Sequence, residues 1–68
     1  MSELEIKKLH EELEVLKAKY RDLSVKTAQA RDNNNEATVE ININVLENIK
    51  NRILTIEQFF GITHSFFS

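Results

Sequence analysis

The chain has 68 residues and a net charge of −2, from 9 basic and 11 acidic side chains. It is too short for more than one domain, and a lone domain of this size buries only about 60% of its unfolded surface. It contains no cysteine, which excludes disulfides and thiolate metal sites as the staple small folds usually need, and leaves association between copies.

The charges are interleaved along the chain. Binding to a phosphate backbone wants a basic stripe, so no nucleic-acid partner is expected. The opening Met1-Ser2-Glu3 has neither the basic nor the apolar region of a signal peptide. No apolar run approaches the ~20 residues that span a bilayer. The expectation is a cytoplasmic protein with no membrane partner.

The first predicted element is a long helix over residues 3–31. Ile6, Leu9, Leu13, Leu16, Tyr20, Leu23, Thr27 and Ala30 alternate in steps of 3 and 4, a heptad seam in which Ile6, Leu13, Tyr20 and Thr27 take position a and the others position d. The flanking residues are strong helix formers. Ser2 with Glu5 three residues later has the form of a capping box. Glu3/Lys7, Lys8/Glu12 and Asp22/Lys26 supply i,i+4 ion pairs on the outer faces. Such a helix is roughly 43 Å long at 1.5 Å per residue.

Asp32-Asn33-Asn34-Asn35 ends the helix, because Asn and Asp tolerate left-handed backbone and hydrogen-bond their own chain. The turn is placed at 32–36. Over 37–43 the apolar residues Val39, Ile41 and Ile43 alternate with Glu40 and Asn42, which predicts an extended or strand-like connector rich in β-branched residues. The alternative carries the second helix back to Asn35 as its cap. Asn44 with Glu47 resembles another helix start. Leu46, Ile49, Ile53, Ile56 and Phe60 then define an amphipathic helix over 44–60. Gly61 is placed to end it, and 61–68 is a Phe-rich tail.

A second helix over 44–60 covers only the turn-proximal part of the first, near Tyr20, Leu23, Thr27 and Ala30. Burying a Leu-sized side chain is worth roughly 1.5–3 kcal/mol, so Ile6, Leu9, Leu13 and Leu16 left bare call for another subunit. The fold class expected is therefore all-α: an oligomeric helical bundle built on a coiled-coil helix, as a dimer, a trimer or a larger assembly. Its oligomerisation residues are Ile6, Leu9, Leu13, Leu16, Tyr20 and Leu23. Glu12 at position g facing Lys17 at e of a neighbour mildly favours parallel pairing.

No catalytic, metal or cofactor site is predicted. His10 lies near Glu11 and Glu14 on a helix flank, and His64 stands in the tail without a second ligand at helical spacing. Exposed carboxylates on a helix lack the pocket that tunes a catalytic pair. There is no Gly-rich loop and no room for an enclosed active site. Phe59, Phe60, Phe66 and Phe67 are all the phenylalanines in the chain. They form either a hydrophobic plug on the helices or an exposed grip for a partner. On the second reading Phe59, Phe66 and Phe67 are the partner-binding residues, since aromatics anchor interfaces.

Two stretches carry a family resemblance. The Leu/Lys helix Leu13-Glu14-Val15-Leu16-Lys17-Ala18-Lys19-Tyr20-Arg21-Asp22-Leu23, and the helix end Ile53-Leu54-Thr55-Ile56-Glu57-Gln58-Phe59-Phe60-Gly61-Ile62-Thr63, resemble the small tail-fibre assembly chaperones of T-even-like phages. That resemblance implies an oligomeric coiled coil that helps a trimeric fibre protein fold. The strand-like Val39–Ile43 segment and the lack of an acidic C-terminal extension depart from the pattern, and no functional residue carries over. The expected function is a non-enzymatic protein-binding adaptor or assembly chaperone whose partners are itself and another protein. The alternatives are a small regulator or inhibitor of a host or cellular protein, antitoxin-like or anti-defence, and sequestration of a small molecule between subunits.

Overall fold

The computed structural model describes residues 2–68, and it is an antiparallel hairpin of two helices, α1 (Glu3–Asp32) and α2 (Glu36–Phe60). Helix α1 starts as its sequence predicts. The Ser2 hydroxyl accepts from the Glu5 N–H and donates to the Glu5 carboxylate, each at 3.2 Å. Of the expected i,i+4 pairs, Asp22–Lys26 closes at 3.1 Å. Lys17 instead approaches Glu14 at 3.8 Å.

The turn is shorter than expected and makes two caps at once. Asn34 takes a left-handed φ of 58°. The Asn34 N–H reaches the Arg31 carbonyl and the Asn35 N–H reaches the Ala30 carbonyl. These are the two hydrogen bonds of a Schellman motif with Asn in place of Gly. The Asn35 side chain in turn accepts from the Thr38 N–H at 3.3 Å, so the last residue of one motif is the N-cap of the next helix.

Residues 37–43 are helical, which overturns the strand-like connector and the helix start at Asn44. An unpaired strand would leave its backbone groups without partners. As helix they are satisfied internally, and the lower helix propensity of Val, Ile and Thr costs only a few tenths of a kcal/mol per residue. The period-two alternation survives as a different fact, namely that apolar side chains point to several sides of α2.

The earlier start lengthens α2 by about 12 Å at 1.5 Å per residue. It therefore reaches far along α1, and the expectation that helix two covers only Tyr20 to Ala30 fails. Leu13, Ile53 and Ile56 form the buried core, with Leu9, Leu16, Tyr20, Ile49, Phe60, Phe66 and Phe67 packed against it. Leu9, Leu13, Leu16 and Tyr20 of the α1 seam thus pack against this chain's own second helix and tail. Near the turn, Thr27 and Ala30 are buried small residues; the Thr27 hydroxyl is satisfied by the Leu23 carbonyl at 2.7 Å.

At the far end Gly61 adopts φ 67°, a backbone that L side chains rarely take. The Gly61 N–H bonds the Gln58 carbonyl and the Ile62 N–H bonds the Glu57 carbonyl, a second Schellman ending. It turns the tail back over the helices. The whole hairpin measures 47 × 21 × 14 Å, one helix thick and two helices wide.

Candidate protein-binding surfaces

Of the seam residues, Leu9, Leu13, Leu16 and Tyr20 pack in one core with Ile49, Ile53, Ile56 and Phe60 of α2, while Ile6, Leu23 and Leu46 are half-buried. These predicted interface residues serve contacts within one chain. Glu12, expected to face Lys17 of a neighbour, is held instead by Arg52. The guanidinium donates from Nε to Oε2 at 2.6 Å and from Nη2 to Oε1 at 3.0 Å.

These hydrogen bonds outweigh the opposing effect of burial and, with a lesser charge attraction to Arg52, hold the Glu12 carboxyl below its ordinary value. Glu12 raises Arg52 in the same way. A carboxyl that binds its proton less tightly when folded stabilises the fold above its unfolded pKa and loses that contribution as pH falls through the folded one. Both side chains are well exposed, so the contribution is small and salt-sensitive. Glu12→Gln is expected to be slightly less stable than wild type at neutral pH. The gap closes in acid and at high salt, and thermal melts at several pH values measure it. A gap that widened in acid would remove the pair from the account.

The Phe-rich tail divides. Phe66 and Phe67 are half-buried, and both rings meet Tyr20 edge-on, with centroids 6.0 and 5.0 Å away. Lys17 and Arg21 of α1 lie over the Phe66 ring, and Lys50 of α2 lies over Phe67. These two residues pack against the core, with cations closing over the rings. Phe60 stacks on His10 at 4.0 Å. Phe59 is the exposed member of the group.

Sequence reasoning missed Glu57. It is only 4% exposed, yet both carboxylate oxygens are used. Oε1 accepts from the Ser65 hydroxyl at 2.7 Å and Oε2 from the Phe66 N–H at 2.8 Å. A buried carboxylate needs such partners, and here they come from the tail. The signal is nonlocal, since nothing near Glu57 in sequence reveals that residues 65 and 66 return to it.

Sequence reasoning also missed what the alternation of 39–45 does on a helix. Ile41, Ile43 and Val45 are exposed. At 100° per residue, Ile41, Val45, Arg52 and Phe59 fall on one flank of α2, while Ile43, Lys50, Leu54 and Glu57 fall on the other. The second flank is the tail's side, because Lys50 and Glu57 touch it. Nearer the turn on that side, Val39 and Ile43 floor an open groove of about 390 Å³ rimmed by Arg31, Glu36 and Glu40. Among the described residues there is no cluster of metal-ligating side chains, and no helix is long and apolar enough to cross a membrane.

Comparison of the chain with protein families, curated proteins and solved structures finds no match in any of the three.

Proposed function

We propose that this chain is a non-enzymatic, oligomeric protein-binding adaptor of the assembly-chaperone kind, acting in the cytoplasm. One observation carries the reading. The start of α2 is apolar on both flanks, and Ile41, Ile43 and Val45 remain in solvent after the hairpin has closed. A helix apolar on both flanks is normally covered on both, and exposed apolar surface of this kind marks an interaction site. The side chains best suited to chemistry have structural work instead: Glu57 holds the tail, Glu12 pairs with Arg52, and His10 stacks on Phe60.

The turn-end groove suits a protein surface. Its floor is Val39 and Ile43, and its rim carries both signs of charge, where a phosphate backbone would need one. The assembly-chaperone form of the proposal comes from the resemblance in sequence to phage tail-fibre chaperones. A photo-cross-linking residue at position 43 tests it in cells of the source organism. Adducts heavier than two copies of this chain are expected there, and none from the same residue at Val15 on the outer face of α1. Recovery of self-adducts alone from position 43 would reject the adaptor.

A further inference from the structure

The hairpin is a single layer, 14 Å thick in its shortest dimension, whereas stable domains are built from two packed layers around a core. Among the described residues the buried apolar side chains are few: Leu13, Ala30, Ile53 and Ile56. There is no disulfide to supplement them. A cover for such a layer has to be present whenever the chain is present, and another copy of the same chain meets that condition.

The two broad faces of the layer are unequal. The tail lies across one, tied to Glu57 and flanked by Lys17, Arg21 and Lys50. The other bears the Glu12–Arg52 bridge and no tail. Along it runs the flank of Ile41, Val45 and Phe59, which are 63%, 42% and 51% exposed. The apolar residues sit at the two ends of this row and Asn48 and Arg52 in its middle. Ile41 and Phe59 are 18 positions apart, roughly 27 Å along the helix.

A two-fold interface must be its own complement. This row satisfies that condition in antiparallel order. With the axis near Lys50, Ile41 of each copy lies level with Phe59 of the other, Val45 with Thr55, and Asn48 with Arg52. We infer that a second copy of this chain stacks on the tail-free face, α2 against α2 in antiparallel order, to form a four-helix dimer. A face of 47 × 21 Å is large enough for the roughly 800 Å² that each partner contributes to a standard interface. The Glu12–Arg52 bridge falls near the middle, where a bidentate ion pair contributes to register more than to affinity. This assignment rests on the oligomeric part of the reading above and names its surface.

The absence of native cysteine makes the test direct. Sedimentation equilibrium of the wild-type chain at micromolar concentration is expected to give twice the 7.9 kDa mass. In the double variant Ile41→Cys/Phe59→Cys the two thiols are too far apart to join within one chain. Mild oxidation is expected to yield a covalent dimer about tenfold or more faster than either single variant, since pairing of the copies sets a high effective concentration. Both positions face solvent in the hairpin, so circular dichroism should show unchanged helicity. A folded wild-type monomer overturns the inference, and so does a dimer whose single variants cross-link as fast as the double. A monomer also removes the oligomeric part of the adaptor reading, whereas its protein-binding part is decided separately by foreign adducts at position 43.

Discussion

Replacing Ile53 with Ala is expected to lower the melting temperature by more than about 10 °C. Ile53 is 0% exposed, the most buried side chain in the hairpin, and with Leu13 and Ile56 it forms the core on which the tail rings pack. Cutting Ile to Ala in a core costs about 2–5 kcal/mol, the spread reflecting how far the site collapses. For a domain of this size each kcal/mol moves the midpoint by about 4–8 °C. Small single-core domains hold only about 3–5 kcal/mol in reserve. The expected result is therefore a chain largely unfolded at 37 °C, read by helical circular dichroism. Val15→Ala, on the exposed outer face of α1, is the control and should stay within about 0.5 kcal/mol of wild type. Equal shifts for the two would show that the hairpin core is elsewhere.

Glu57→Ala is expected to release the tail and to cost of the order of 2–3 kcal/mol. Hydrogen bonds to a charged group contribute about 1.5–3 kcal/mol, and Glu57 accepts one from the Ser65 hydroxyl and one from the Phe66 N–H. Alanine removes both acceptors and leaves a cavity beneath the tail. Glutamine should fall between the two. Its one carbonyl oxygen can still accept from the Phe66 N–H, and the Ser65 hydroxyl can rotate to accept from the new amide. Two signals report the tail directly: hydrogen exchange at the Phe66 amide, and the near-ultraviolet signal of Tyr20, the only tyrosine in the chain, whose ring meets both tail rings. Protection at Phe66 should decrease in the order wild type, Gln, Ala. If the Ala variant protected that amide as well as wild type, the clasp would not be what holds the tail.

Much of this architecture is legible in the residues. The steps from Ile6 to Ala30 place α1 and its buried face, Ser2 begins it, the Asn run ends it, and Gly61 ends α2. What failed was the segment from Ala37 to Ile43. Its alternation satisfies a strand locally, and only the tertiary setting decides otherwise, through a cap from Asn35 and a neighbouring helix for Val39 and Leu46 to lean on. That single misreading displaced the functional reading as well. A short second helix left Leu9, Leu13 and Leu16 bare and made the start of α1 the surface for association. The longer helix covers them and moves the unpartnered apolar residues to the start of α2. The tail split for a similar reason. Four phenylalanines close in sequence look alike, but Phe66 and Phe67 are drawn onto Tyr20 by a return of the chain that Gly61 and Glu57 arrange, while Phe59 stays on the outer flank of its helix.

The one-sided tail limits how this molecule can grow. A slab with two equivalent sticky faces would add neighbours above and below without end, and would make filaments of the kind that non-closing contacts produce. Here residues 65–67 fold over one face and cover the part around Tyr20, Lys50 and Glu57 with their own aromatic rings. In the inferred pair the tail of each hairpin lies on an outer face, away from the contact, with the Val39/Ile43 groove open beside it. On the inferred pairing, residues 65–67 would lie where a third hairpin would have to stack, and would act as a stop on polymerisation.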